Sequence, residues 1–234
     1  MKNVIYTLLA VAVAACTPAN TANNEAVTQT DTNTTSSATS TEASVPPAST
    51  TTAAEENRPM SQYQNKVAEL HTSAGEIDIR FFPDVAPNHV KNFIDLAEKG
   101  FYNGTKFHRV IPGFMIQGGD PNTVSGSPST WGTGDSGKNV AAEFNSISHK
   151  RGIVSMARSN DPNSASSQFF IVTSDSKFLD GQYTVFGQVT KGMDVADKIV
   201  NAPKGDQDRP NSPTSIEKIV IRDANDDEKG PAPK

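Results

Sequence analysis

Phe107-His108-Arg109-Val110-Ile111-Pro112-Gly113-Phe114-Met115-Ile116-Gln117-Gly118-Gly119-Asp120 is the most informative stretch of this sequence. It places one arginine, Arg109, and one glutamine, Gln117, among large apolar side chains. Two strand-like runs lie within it, Phe107–Ile111 and Phe114–Gln117. Apolar runs in strands most often belong to a core, so this stretch alone does not define a functional site.

Further strand and helix patterns lie on both sides of this stretch. The run Glu76–Phe81 alternates charged and apolar residues, as a half-buried strand does. A helix is predicted between Asp84 and Gly100, because its apolar residues recur at helical spacing on one face. A second, shorter helix is predicted over Met193–Val200. The other strand-like runs are Val67–His71, Ile153–Ala157, Gln168–Val172, Val185–Val189 and Ile216–Ile221.

The order of these elements indicates the fold class. Helices occur only near the two ends of the strand-rich segment, which argues against alternating strands and helices in a parallel sheet. The pattern favours an antiparallel sheet capped by two helices. Periodicity alone does not decide whether that sheet closes into a barrel.

Composition divides the 234-residue chain into unlike parts. Residues 17–58 are rich in Thr, Ser, Ala and Asn with few large apolar side chains, which predicts a disordered tether over residues 16–60. A single domain is predicted over residues 61–223, and a disordered, solvated tail over 224–234. The net charge is −5, and most of the excess lies in the tether. Nothing resembles the basic footprint of a nucleic-acid-binding protein.

The first sixteen residues predict a targeting segment. Lys2 precedes an apolar run, Val4–Ala15, that is too short to span a bilayer and is typical of a signal peptide. The run ends Val13-Ala14-Ala15-Cys16, which resembles the bacterial lipobox, in which the cysteine is acylated and becomes the new N-terminus. We therefore predict a lipoprotein signal peptide over residues 1–15 and lipidation at Cys16. An ordinary secretory signal with an unrelated cysteine remains the alternative.

Several other chemistries lack support in the sequence. The run Gly132–Gly137 fits a dinucleotide-binding pattern literally, but neither a strand before it nor a helix after it is predicted. The four histidines lie far apart, so we expect no metal and no cofactor. No Gly-x-Ser-x-Gly motif supports a hydrolase. Trp131 lies in a polar loop over residues 121–140, where an interaction anchor and a loop-packing residue are equally good interpretations.

Taken in order and spacing, the dense segments resemble the cyclophilin family of peptidyl-prolyl cis-trans isomerases, in its bacterial variety. The resemblance covers about Val67 to Ile221. Its most specific part is the motif over 107–120, and Ser167-Gln168-Phe169-Phe170-Ile171 and Phe178-Leu179-Asp180-Gly181 support it. The family fold that it implies is mainly β, a closed eight-stranded antiparallel barrel capped by two α-helices.

The resemblance also implies roles for individual residues. Arg109 would be the catalytic hydrogen-bond donor, and Gln117 would orient it and contact the substrate backbone. The residues implied in substrate binding comprise an apolar cup for the proline ring and a rim for the peptide backbone: Phe114, Met115, Ala157, Arg158, Gln168, Phe170, Phe178, Leu179 and Tyr183.

Three of these residues depart from the pattern of many family members. Phe178 stands where eukaryotic members have tryptophan, and Tyr183 stands where they often have histidine. Arg158 stands where asparagine is common, so we expect an altered substrate preference and retained activity.

The leading hypothesis is an isomerase that assists the folding of secreted or envelope proteins. Its partners would be proline-containing peptides and unfolded proteins, and we expect a monomer held to a bacterial membrane through its lipid. Position 17 is threonine and not the aspartate that commonly retains lipoproteins at the inner membrane. In a cell with two membranes this favours the outer membrane, at its periplasmic face or the cell surface. The alternatives are a module that binds prolines without catalysis and a lipoprotein with a structural role.

Overall fold

The computed structural model describes residues 59–233, which form a mainly β domain. The predicted signal peptide, Cys16 and all but the last two residues of the predicted tether lie outside the described residues. The strands are β1 (Lys66–Thr72), β2 (Gly75–Phe81), β3 (Arg109–Ile111), β4 (Met115–Gly118), β5 (Ile153–Met156), β6 (Phe169–Val172), β7 (Val185–Lys191) and β8 (Ile216–Asp223). The helices are α1 (Pro87–Glu98), α2 (Asn122–Ser125) and α3 (Met193–Val200).

All eight predicted strand runs form strands of one antiparallel sheet, in the order β3-β4-β6-β5-β7-β2-β1-β8. The two predicted helices are confirmed as α1 and α3, whereas the one-turn helix α2 was not predicted. Within residues 59–233, no helix is long and apolar enough to cross a membrane.

The expectation of a closed barrel requires correction, because the sheet is a curled half-barrel whose edge strands β3 and β8 do not pair as strands. The residues that precede β3 and β8 are hydrogen-bonded to each other instead. The Phe107 N–H donates to the Thr214 carbonyl at 3.0 Å. The physical reason for the open sheet is the shortness of β3, which is three residues long. The loop between α3 and β8 lies against β3, and the Lys204 ammonium donates to the Val110 carbonyl at 3.2 Å.

Two clusters of buried side chains stabilise the domain. Phe93 of α1 lies at the centre of the larger cluster, with its ring centroid 4.9 Å from that of Tyr102 and 5.3 Å from that of Phe169. Burial of aromatic rings of this size contributes much of the hydrophobic stabilisation. The smaller cluster contains Met115 and Phe170 and forms the floor beneath the site described below.

The segment after β8, which its composition predicts to be solvated, makes specific contacts in the structure. Glu228 forms a bidentate ion pair with Arg222 at 2.7 and 2.9 Å. The Arg222 guanidinium holds the pKa of Glu228 down at about 2, against a burial effect that raises it. The Ala224 N–H donates to the Asn65 carbonyl at 2.7 Å, and Ala232 packs against the smaller cluster.

Candidate active site

An apolar cleft of about 320 Å³ opens beside the β3–β4 hairpin. Its floor is formed by Met115, Phe170 and Leu179, which are 2%, 5% and 7% exposed. The cross-strand register sets this arrangement, because Gln117 of β4 pairs with Phe170 of β6. The lining residues are Arg109, Phe114, Met115, Gln117, Ala157, Arg158, Phe170, Phe178, Leu179 and Tyr183.

A row of polar side chains crosses one wall of this apolar cleft. Arg109 and Gln117 are direct cross-strand partners in β3 and β4, and the Arg109 Nη1 donates to Gln117 Oε1 at 3.4 Å. The Gln117 Nε2 donates to Gln168 Oε1 at 2.9 Å, and the Gln168 Nε2 donates to the Gly134 carbonyl at 2.8 Å. Each amide therefore accepts on one side and donates on the other, which fixes its orientation.

Arg109 is the cation at the open side of the cleft. Its side chain is 44% exposed, and its Nε lies 3.8 Å from Asp208 Oδ2. Among residues 59–233, the third guanidinium nitrogen, Nη2, donates no hydrogen bond. A guanidinium stays charged at any ordinary pH, so Nη2 remains a donor available to a bound molecule.

The rim of the cleft carries the three departures from the family pattern. Phe178 is 65% exposed, and its ring centroid lies 5.2 Å from that of Phe114. Tyr183 meets Phe170 edge-on at 5.7 Å. The Arg158 guanidinium lies over the Tyr183 ring, 4.8 Å from its centroid. The rim therefore combines aromatic rings with a cation that is stacked on one of them.

A second, polar cleft of about 370 Å³ lies next to the first and shares the wall formed by Gln117, Ala157 and Arg158. Gln168 lines this polar cleft and not the apolar one. The backbone of Gly132–Asp135 forms its far side, so the loop that sequence could not interpret is part of the site region. Of the residues implied by the resemblance, the structure thus brings all but Gln168 to the apolar cleft, while Cys16 lies outside the described residues.

The loop over residues 121–140 is held by two anchors. Asp120 is fully buried, and its carboxylate accepts the backbone N–H groups of Asn122 and Gly132. The Trp131 ring lies between two cations, 5.7 Å from Lys106 Nζ and 5.5 Å from the guanidinium of Arg209. These contacts favour the interpretation of Trp131 as a loop-packing residue.

A relay of hydrogen bonds that sequence reasoning missed lies behind the floor of the cleft, with Ser155 and His149 buried and Asp180 exposed. The Ser155 hydroxyl donates to His149 Nε2 at 2.9 Å, and the His149 Nδ1–H donates to Asp180 Oδ1 at 2.9 Å. The combination resembles a hydrolase triad, yet Ser155 is fully buried and cannot reach a substrate carbonyl. Burial lowers the pKa of His149, although Asp180 opposes the shift, so the imidazole is neutral at pH 7. The relay therefore connects β5 to the segment that carries Leu179.

Among residues 59–233, one group of side chains has the composition of a metal site. Glu69, His71 and Glu76 lie together on the outer face of β1 and β2. Arg222 lies 3.3 Å from Glu69, and Lys191 lies 3.4 Å from Glu76. These cations already neutralise both carboxylates, so the group is best described as a surface ion-pair cluster.

The half-barrel holds an apolar cleft with Arg109 at its open side. Such a site can bind a small apolar ring and donate hydrogen bonds beside it. Comparison with known proteins identifies the family. The model of the cyclophilin type peptidyl-prolyl cis-trans isomerase family matches residues 67–221. The chain belongs to this family of isomerase enzymes.

Individual relatives support the same family assignment. A peptidyl-prolyl cis-trans isomerase of Acinetobacter baylyi is 42% identical over 170 residues, which cover 69% of this chain and 88% of that protein. Peptidyl-prolyl cis-trans isomerase A of Dickeya dadantii is 51% identical over 135 residues, 56% of this chain and 68% of that protein. The crystal structure of a Cryptosporidium parvum cyclophilin type isomerase, in the presence of the dipeptide Ala-Pro, is 33% identical with a TM-score of 0.61. It covers 67% of this chain and 98% of its own.

Proposed function

We propose that this isomerase turns X-Pro bonds of unfolded and proline-containing chains by stabilising the twisted amide with Arg109. The observation that carries the proposal is the position of Arg109 at the opening of the apolar cleft, where its Nη2 donates no hydrogen bond to any of the described residues. The proline ring would lie on Met115, Phe170 and Leu179, with the substrate backbone along Gln117 and Ala157.

The physics of the reaction requires no proton transfer and no covalent bond. Twisting an amide removes its resonance, a barrier of about 18–20 kcal/mol. In the twisted state the nitrogen becomes pyramidal and regains a lone pair, which can accept a hydrogen bond. A donor aimed at that nitrogen stabilises the transition state more than the planar ground state, and that difference raises the rate.

Replacing Arg109 tests the proposal. Arg109→Ala should lower kcat by about 100- to 1000-fold, the range seen when one transition-state donor is removed. KM should change much less, because the planar amide does not offer its nitrogen lone pair. Arg151→Ala is the matched control, since Arg151 pairs with Asp197 at 2.7 Å and lines neither cleft. The measurement is the isomerisation rate of a proline peptide.

One further variant and a pH series distinguish an isomerase from a binding module. Phe170→Ala should raise KM as well, because it removes the floor of the cleft. The rate should be nearly flat between about pH 6 and 8, since arginine keeps its charge there. Full activity in Arg109→Ala would overturn the mechanism. Wild-type protein that binds proline peptides without accelerating isomerisation would instead support a binding module.

We also propose that the protein is a lipoprotein of the bacterial envelope, where it would assist the folding of secreted or envelope proteins as a monomer. The support is the sequence Lys2, Val4–Ala15 and Cys16, together with the long polar segment that would separate the membrane from the domain. More than one acyl chain would hold the protein stably at a membrane.

Mass spectrometry of the protein isolated from its own membrane tests this second proposal. We expect a mature chain that begins at an acylated Cys16, and Cys16→Ser should release the protein into the soluble fraction. A mature N-terminus elsewhere, or an unmodified Cys16, would contradict the proposed anchor without affecting the isomerase mechanism.

A further inference from the structure

The loop over residues 203–211, between α3 and β8, reaches the guanidinium of Arg109 from outside the cleft. Asp208 Oδ2 lies 3.8 Å from Arg109 Nε. The other carboxylate oxygen, Oδ1, accepts a hydrogen bond from Lys204 Nζ at 2.6 Å. Neither Lys204 nor Asp208 lines the apolar cleft or belongs to the residues implied by the resemblance.

The backbone of this loop is strained at the residue that carries the carboxylate. Gln207 has φ +58° and ψ +27°, and Asp208 has φ +58°, so two consecutive non-glycine residues adopt the left-handed conformation. This conformation is uncommon for residues with a side chain, and such strain persists only where surrounding contacts enforce it. Here it turns the Asp208 side chain back toward the sheet.

The loop is anchored on both sides of Asp208. Lys204 Nζ also donates to the carbonyl of Val110, which is the residue next to Arg109 in β3. On the other side, the Arg209 guanidinium lies over Trp131, and its Nη2 donates to Gln207 Oε1 at 2.9 Å. The carboxylate of Asp208 is therefore fixed relative to the strand that carries Arg109.

We propose that Asp208 is a positioning residue that sets the orientation of the Arg109 guanidinium. This inference rests on the proposed role of Arg109. The guanidinium is planar and rigid, so acceptors at two different nitrogens define its plane. Gln117 engages Nη1 and Asp208 faces Nε, which leaves Nη2 for the twisted amide. With Gln117 alone, the group could rotate about a single hydrogen bond.

Asp208→Asn in the full chain tests the inference, because asparagine keeps the shape and tolerates the left-handed backbone while losing the charge. We expect kcat for a proline peptide to fall about two- to fivefold, the effect expected of a partly exposed ion pair, with KM within about twofold. Asp208→Glu should recover part of the loss. Asp206→Asn is the matched control, since Asp206 is an exposed acid of the same loop with no ion pair to Arg109 within the described residues.

A spectroscopic readout separates positioning from a general structural effect. The ¹⁵N–¹H signal of the Arg109 Nε group should shift and broaden in Asp208→Asn and stay in place in Asp206→Asn. Gln207→Gly relaxes the strained backbone and removes the hydrogen bond from Arg209, but it keeps the carboxylate and its contact with Lys204. It should therefore change this signal and kcat less than Asp208→Asn does.

A double-mutant comparison keeps this inference distinct from the proposed function. Asp208→Asn should have no further effect on the residual rate of Arg109→Ala, because its action runs through that guanidinium. Three results would overturn the inference: wild-type kcat in Asp208→Asn, an equal loss in Asp206→Asn, or an equal loss in the Arg109→Ala background. Full activity in Arg109→Ala is a different result, and it would contradict the proposed function itself.

Discussion

At the scale of single residues, Arg158 is the position where this chain departs most in charge from the family pattern. Its side chain is held over Tyr183 and donates through Nε to the Gln182 carbonyl at 3.0 Å. It forms part of the wall shared by the apolar and polar clefts. In the proposed binding mode, a peptide that occupied both clefts would pass the positive charge of Arg158 next to its proline.

This charge predicts a preference for acidic residues beside the proline. The ratio of kcat/KM for a glutamate-containing peptide over a lysine-containing one should be about two- to fivefold higher in wild type than in Arg158→Gln. High salt should reduce the difference, because exposed charges are screened. Arg151→Gln serves as the control for loss of one positive charge away from the clefts. An unchanged ratio in Arg158→Gln would show that Arg158 acts only through packing.

At the scale of elements, the β3–β4 hairpin sets the distance between Arg109 and the floor of the cleft. Its turn is closed by the Phe114 N–H, which donates to the Ile111 carbonyl at 3.0 Å. Pro112 and Gly113 lie at the centre of the turn, and Gly113 has φ +76°. A proline followed by a glycine with positive φ is typical of a type II turn.

We predict that adding one methyl group destabilises the domain to different extents at two glycines of this region. Gly113→Ala should destabilise the domain by about 1–2 kcal/mol, the cost of a left-handed backbone, since no atom lies within 4 Å of the added carbon. Gly119→Ala should cost roughly 3–5 kcal/mol, because its φ is +83° and the carbon would lie 2.5 Å from the Ser167 carbonyl. Denaturant unfolding of both variants measures the difference. Equal losses would contradict the steric argument.

At the scale of the whole molecule, buried histidines make stability depend on pH. Burial lowers the pKa values of both His149 and His108 from the ordinary value of 6.5. Below about pH 6.5, the unfolded chain therefore binds protons more readily than the folded one. Stability contributed by the neutral imidazoles is present above that pH and is lost as the pH falls.

The free energy of unfolding should consequently fall between pH 7 and 5, by up to about 1.4 kcal/mol per pH unit for each buried histidine. His149→Gln should reduce this slope and leave the part due to His108. Ser155→Ala is the matched control, because it removes the hydrogen bond of the relay but keeps the titrating ring. Thermal unfolding at several pH values measures the slope. A pH-independent wild type would contradict the proton linkage.

The sequence predicted those parts of the molecule whose signals are local. The alternation in Glu76–Phe81 and the helical spacing from Val90 to Ala97 each lie within one element, so they located β2 and α1. The family resemblance implied the residues that line the apolar cleft, and Arg109, Phe114 and Gln117 among them lie within one motif. Their catalytic roles remain predictions.

The parts that sequence did not predict depend on contacts between distant segments. Asp208 lies near Arg109 because it and Gln207 adopt the left-handed backbone conformation. No feature of the sequence predicts that conformation. His149 and Asp180 are 31 positions apart, and their relay depends on how two loops pack. The half-barrel was likewise missed, because the edge of β3 is covered by the loop that contains Lys204. The tail contacts Arg222 through Glu228, whose half-buried, ion-paired position cannot be predicted from the acidic sequence around it.

The position of β1 between β2 and β8 has a consequence for the order in which the chain folds. Its Lys66 pairs with Asp223, 157 positions away, whereas its other neighbour follows directly in sequence. During synthesis, β1 can pair with β2 early, but its second edge stays open until almost the whole domain has been made. Such long-range pairing is slow, and an open edge can pair with other extended chains. The nascent chain of this isomerase therefore completes its sheet late and exposes an edge that can aggregate until then.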